Sequence, residues 1–317
     1  MNEYIQNICE KFVDCRALLG ECYKWSSTTD QCLRASFMLK DDTYVTENRI
    51  QEIKQFLKKR EGIFSSLRSH IEMTLTVKML QSGDYEEYYM KLKTVMEEFK
   101  MGWLFSDSYR VVTAMIIIEN IAPEDFRHYI DKTKMIYEQM KRDHSWLTRD
   151  YDLIFAALLA VSDINVDDIL LEMDESFRIL KQEFRSSRNQ ELSHILSLNL
   201  NSPGEKTQRF LEIHDLLKRN RIKVSKSYHL EVLAVLSLLD MDDLSIVEQI
   251  SQAEIYLNTY KPFRGWSMFQ DERILYAIML VIKANSHDSV LIDNVLLFVI
   301  LRMQRSRDAA AAAAAAG

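Results

Sequence analysis

The chain has 317 residues, 47% hydrophobic and 27% charged, with 47 acidic against 40 basic side chains for a formal net charge of −7. That balance is ordinary for a soluble globular protein and disfavours general binding to nucleic acid or an anionic membrane, because a net negative surface repels both. No apolar run approaches the ~18 residues that a spanning helix needs, and the N-terminus lacks the charged and apolar regions of a secretory leader, so cytoplasmic residence without a membrane partner is expected.

Residues 1–33 carry Tyr4, Ile5, Ile8, Phe12, Leu18, Leu19 and Tyr23 at helical spacing and read as an N-terminal capping helix or helix pair. All four cysteines, Cys9, Cys15, Cys22 and Cys32, fall in this segment, spaced 6, 7 and 10 apart. None forms a C-x-x-C pair and no histidine lies nearby, so buried reduced thiols are expected rather than a metal site.

From there on, an all-apolar stretch closes seven times around one small residue: Ala35, Thr76, Ala114, Ala156, Ser197, Ala234 and Ala277, at intervals of 41, 38, 42, 41, 37 and 43. A period near forty predicts an all-α protein of about seven stacked αα-hairpin repeats over residues 34–304, an α-solenoid or α-α superhelix. The stretches around Ala114, Ala156, Ala234 and Ala277 are apolar nearly all round, as helices enclosed by neighbours are, and form an inner row. Small residues at their middles let backbones approach closely. Segments such as Phe126, Tyr129, Ile130, Thr133, Ile136, Tyr137 and Met140, with apolar residues every three or four positions among charges, form an outer, half-exposed row.

Helix starts follow the same order. Ser202-Pro203-Gly204-Glu205 joins a capping serine, proline at the first helical position and a glutamate three residues after the cap. Asp84 with Glu87, Asn165 with Asp168, and Pro123 beside Glu124 and Asp125 mark three more outer helices. Asp30, Ser106, Thr148 and Asp271 are candidate caps of inner helices. No alternating apolar and polar run bounded by turn dipeptides occurs, and only three prolines and seven glycines interrupt the chain, so strands are not expected. Residues 305–317, with alanine from Ala309 to Ala316, read as a scar or placeholder tail.

Catalytic motifs are missing: there is no glycine-rich phosphate loop, no H-E-x-x-H and no G-x-S-x-G. The histidines are scattered singly, and His194 and His229, on adjacent inner helices with Ser193 and Ser197 near the first, read as hydrogen-bonded core residues before they read as bases. Carboxylates at Glu86-Glu87, Asp167-Asp168 and Asp242-Asp243 sit in first turns of outer helices, where negative charge suits the dipole. No cofactor or metal is implied.

The tryptophans recur with the repeat. Trp25, Trp103, Trp146 and Trp266 each precede a small ladder residue by ten or eleven positions, in the connection from an outer helix into the next inner helix. The repeat alone accounts for that recurrence if the rings fill gaps between hairpins and are buried; the rival reading is a row of aromatics along a binding rim. Arg185, Arg188, Lys218, Arg219, Arg221, Lys223 and Lys226 form a local basic patch on two such connections. Aromatics do not interleave with these bases, so the patch argues weakly for nucleic acid.

The stretch Asp143-His144-Ser145-Trp146-Leu147-Thr148, leading into Asp152-Leu153-Ile154-Phe155-Ala156-Ala157-Leu158-Leu159-Ala160-Val161-Ser162-Asp163, together with Gly62-Ile63-Phe64-Ser65, resembles the bacterial family known as domain of unknown function 4003 (DUF4003). The resemblance covers nearly everything from residue 1 to about 305. It implies a cytoplasmic protein of Gram-positive bacteria and carries over no activity, substrate or catalytic residue.

The expected function is therefore a non-catalytic protein-interaction or scaffold module with a protein or peptide partner, bound at a rim that includes Trp103, Asp107, Tyr109, Arg110, His144, Trp146, Arg149, Asp150, Arg188, Arg221 and Trp266. The alternative is an α/α-toroid enzyme or small-ligand binder with its site on the loops entering the inner helices, built from Asp107, Tyr109, Arg110, His144, Arg149 and Asp150.

Overall fold

A computed structural model describes residues 3–39, 45–68, 71–100, 107–143, 151–162, 165–184, 189–198, 203–224, 228–286 and 292–303. Among them every regular element is helical and no strand occurs. None of these helices is long and apolar enough to cross a membrane. The chain divides into two compact units, one formed by Cys15–Val166 and the other by Met1–Asp14 with Asp167–Gly317.

In the unit formed by Cys15–Val166, the end of α1 (Glu3–Cys22) leads into α2 (Thr28–Ala35), α3 (Glu47–Arg60), α4 (Glu72–Gln81), α5 (Tyr85–Lys100), α6 (Asp107–Asn120), α7 (Phe126–Asp143) and α8 (Asp152–Val161). The even-numbered helices are the enclosed ones. Helix α8 buries every residue from Asp152 to Ala160, and α4 every residue from Met73 to Met79. By contrast α3 buries only Ile50, Ile53 and Leu57, one stripe at helical spacing. Each such side chain contributes about 1.5–3 kcal/mol by leaving water. Helix α6 packs on α8 within the inner row and α5 on α7 within the outer row, while α3, α5 and α7 pack on α4, α6 and α8 respectively.

The other unit repeats the pattern with α9 (Val166–Glu183), α10 (Asn189–Leu196), α11 (Pro203–Arg219), α12 (His229–Ser237), α13 (Asp243–Leu257), α14 (Gln270–Asn285) and α15 (292–303). Helix α12 lies between α10 and α14, and is buried from His229 to Ser237. Outer helix α13 buries Ile246, Ile250, Ala253 and Leu257. The first turns of α1 belong here, where Phe12 meets Phe263 and Tyr276 at ring-centre distances of 5.7 and 5.9 Å and Tyr256 donates to Glu10 at 2.6 Å.

All seven small ladder residues are buried, none more than 1% exposed. Their places differ. Ala35 closes α2 and Ser197 follows the last residue of α10, whereas the other five lie inside their helices. A serine hydroxyl donates to the carbonyl three residues back at Ser36, Ser82, Ser162, Ser197 and Ser237, where α2, α4, α8, α10 and α12 end. This local bond competes with helix continuation and satisfies a carbonyl the helix end would leave open.

Asp242, expected in a first turn with Asp243, instead caps α13 and accepts from the backbone N–H of Ser245, while the outer-helix start at Asp84 is as expected: Asp84 accepts from the backbone N–H of Glu86 and Glu87. Two inner caps are not. Ser27, not Asp30, caps α2, accepting from the Asp30 N–H at 3.1 Å while its hydroxyl donates to the Asp30 carboxylate at 2.6 Å. Helix α14 starts after Phe269 with no side-chain cap, and Asp271 lies in its first turn. A serine three residues before an aspartate leaves both donors satisfied reciprocally, so the earlier residue wins the cap.

Candidate binding rim

The connections that lead into α2 and α4 are pinned to the unit of residues 15–166 by polar bonds, yet each presents large apolar side chains to solvent. After α1, the Tyr23 hydroxyl donates to Thr76 at 2.9 Å, and the Lys54 ammonium lies 3.9 Å from the Tyr23 ring centre and donates to the Cys22 carbonyl. Ser26 donates to the Tyr23 carbonyl, and the Gln31 amide donates back into the same turn. Trp25, held in this turn, is 102% exposed. The expectation that the recurring tryptophans are buried fillers therefore fails at Trp25: the turn is fixed by Tyr23 and Ser26, and no element covers the ring two residues on.

After α3, Glu61 anchors the second connection. Its carboxylate accepts from Ser65 and Tyr89 at 2.6 Å each and from Lys93 at 3.0 Å, and its carbonyl accepts from Arg68. Burial alone would raise the Glu61 pKa, but the bonds from Ser65, Tyr89 and Lys93 outweigh it and hold the carboxyl below its usual range. On this fixed loop Ile63 is 73% and Phe64 95% exposed. Along the chain Lys24 precedes Trp25, and Lys58, Lys59 and Arg60 precede Ile63 and Phe64; all four bases are exposed, and the Arg60 guanidinium lies 5.4 Å from the Phe56 ring centre. Large apolar side chains held in water on polar-anchored turns offer a contact surface.

The sequence-predicted rim is only partly described. Trp103, His144, Trp146, Arg149, Asp150 and Arg188 lie outside the described residues, as do the side chains of Asp107, at the start of α6, and of Trp266, whose backbone lies in a short 3₁₀ turn, Gly265–Ser267. Tyr109 is buried and meets Tyr151 edge-on at 6.4 Å, so it belongs to packing rather than to an open rim. Arg110 is half-buried on α6. Arg221 is exposed with φ 61°, the left-handed residue that stops α11; the Ile222 N–H then bonds back to the Leu217 carbonyl at 2.9 Å. Sequence reasoning missed Ile63 and Phe64 as rim residues, although an apolar pair in a stretch of glycine, serine and charge was the available signal.

Several buried ionisable groups are engaged from helix to helix. Lys78 (α4) and Tyr88 (α5) both donate to Glu119 (α6), at 2.7 and 2.6 Å. Arg302 (α15) reaches Glu191 (α10) at 2.9 Å and the fully buried Glu231 (α12) at 3.2 Å, with its guanidinium 5.7 Å from the Phe298 ring centre. Arg273 (α14) bonds Glu254 (α13) at 2.9 Å, and Lys283 (α14) bonds Asp293 (α15). His229 donates to the Asp271 carbonyl at 2.7 Å; burial pulls its pKa below the usual histidine range against that bond. Ser193 and Ser197 donate to carbonyls of their own helix, not to a histidine ring. Cys9, Cys22 and Cys32 are buried thiols, and burial pushes the Cys9 pKa up to about 12, away from nucleophilic thiolate. Among the described residues no group of three or more histidine, cysteine, aspartate or glutamate side chains is placed to hold a metal ion.

A groove of about 550 Å³ lies between α11 and the α12–α13 connection, with Lys206, Arg209, Asp240 and Asp243 in its wall. It sits where the chain leaves an inner helix, not on a loop entering one. Its two bases are already engaged, Lys206 by Glu172 at 3.4 Å and Arg209 by the Met241 carbonyl and, at 3.8 Å, by Asp243. Burial lowers the Lys206 pKa and raises that of Glu172.

The sequence aligns over 320 residues with the protein described as "Uncharacterized protein YeaA" of Bacillus subtilis (strain 168), at 23% identity, covering 96% of this chain and 92% of that protein. No solved structure matches the chain. The family model described as "Protein of unknown function (DUF4003)" matches residues 17–305. With that match running through nearly every helix, from α1 to the end of α15, the chain belongs to the DUF4003 family.

Proposed function

We propose that this protein is a non-catalytic, cytoplasmic interaction module that holds a protein or peptide partner on the rim of connections entering its inner helices. The observation that carries the reading is the exposure of Trp25, Ile63 and Phe64 on two successive, polar-pinned connections. Rigid, amphipathic aromatics on fixed loops are the residues that dominate binding energy at protein interfaces. The inter-helix pairs Lys78 with Glu119, Arg273 with Glu254 and Arg302 with Glu191 support a structural use of those groups over a catalytic one. The α/α-toroid enzyme reading rests on fold-level analogy alone.

The test is the double variant Trp25→Ala with Phe64→Ala. Both rings lie in solvent, so the variant should unfold within about 0.5 kcal/mol of wild type, and it should lose the partner that co-purifies with wild type from the native host. An undiminished complex would refute the rim as the binding surface. The same preparation reports on the ring itself: Trp25 should add a red-shifted, readily quenched component to the emission, missing from the variant.

A further inference from the structure

We propose that the rim selects an acidic, amphipathic peptide segment, with apolar side chains seated on Trp25, Ile63 and Phe64 and carboxylates facing Lys24, Lys58, Lys59 and Arg60. This rests on the interaction-module reading above and names the chemistry of the partner. Four exposed bases adjoin the three apolar tips along the chain, Lys24 beside Trp25 and Lys58, Lys59 and Arg60 ahead of Ile63 and Phe64, against the acids Glu21 and Glu61, so these two connections are more basic than a chain whose net charge is −7. A basic last turn suits a helix C-terminus and accounts for Lys58, Lys59 and Arg60 individually. It does not account for Lys24, or for apolar tips beside them.

The spacing fits a short peptide. The Lys54 bond to the Cys22 carbonyl fixes the Trp25 turn beside the middle of α3. From Lys54 to Glu61 the helix and its cap rise about 10 Å at ~1.5 Å per residue, so the anchor points of the two connections lie a distance apart that about three extended residues span. A peptide of that length feels charge only within a Debye length of about 8 Å and so senses the basic patch. An anionic membrane or a nucleic acid extends far beyond four bases, and a chain of net charge −7 disfavours both.

The experiment places the photo-cross-linker p-benzoylphenylalanine at position 25 or 64 of the full chain in native host cells, followed by sequencing of the cross-linked peptide. Expected is a segment rich in Asp and Glu with interspersed apolar residues. A synthetic copy of it should bind wild type, and binding should weaken by about tenfold or more in Lys58→Glu/Lys59→Glu and in Lys24→Glu, and as NaCl rises from about 50 to about 500 mM. A neutral or basic cross-linked peptide, an affinity indifferent to the charge reversals in variants that melt like wild type, or adducts only with lipid or nucleic acid would each overturn the acidic-peptide assignment. Absence of any adduct from both positions would instead remove the rim reading on which it rests.

Discussion

Glu119→Gln deletes one charge at the point where three helices meet and changes almost no volume. The Glu119 carboxylate accepts from Lys78 of α4 on one oxygen and from Tyr88 of α5 on the other, and the exposures are 6% for the lysine, 15% for the glutamate and 7% for the tyrosine. A glutamine keeps one acceptor. If its oxygen takes the Tyr88 hydroxyl, its NH₂ group faces the Lys78 ammonium, donor against donor; if it turns round, Tyr88 loses its acceptor. Removing one partner of a buried ion pair costs about 3–5 kcal/mol, because the other charge stays desolvated. The partial exposure of Glu119 lets water reach one side, so the lower end, about 3 kcal/mol, is expected. Urea unfolding at pH 7 should show a lower midpoint at unchanged slope. Lys78→Met together with Glu119→Gln removes the stranded ammonium, so the double variant should be more stable than the sum of the single losses by about 1–3 kcal/mol. A Glu119→Gln midpoint within about 0.5 kcal/mol of wild type, or strict additivity, would refute the account of this junction.

Ala234→Leu puts three extra carbons into α12 where every neighbour is buried and should cost about 1–3 kcal/mol or more; an unchanged denaturant midpoint would remove the close-packing role of the ladder. Arg221→Gly should stabilise by about 0.5–1 kcal/mol, since the position has φ 61° and glycine adopts it without a Cβ clash; a loss in thermal or urea stability would contradict that. Burial, then the Glu119 charge, raises the Tyr88 pKa well above 10. Its folded value thus exceeds its unfolded value, so the contribution of the neutral phenol is complete below pH ~10 and is lost as pH rises from there toward the folded value, at up to about 1.4 kcal/mol per pH unit. Tyr88→Phe should therefore flatten the fall in stability between pH ~9 and ~11 relative to wild type, and equal slopes would sink the assignment.

What the amino-acid order determined by itself is what physics decides within a turn or two of helix. The near-forty period, the enclosed helices around Thr76, Ala114, Ala156, Ala234 and Ala277, the amphipathic outer helices and the start at Asp84 all follow from side-chain periodicity and from caps two or three residues away. Even locally a choice between neighbours needed coordinates: Ser27 and Asp30 are both capping residues, and only the backbone turn at Ser27 assigned the role. The tertiary structure alone decided which distant groups meet. Lys78 with Glu119 and Tyr256 with Glu10 join residues 41 and 246 apart, pairings fixed by how helices cross rather than by any pattern along the chain. The same holds for the rim. The repeat assigns Trp25 the position of the other tryptophans, but burial of a ring depends on whether another element lies over it, and at Trp25, Ile63 and Phe64 none does.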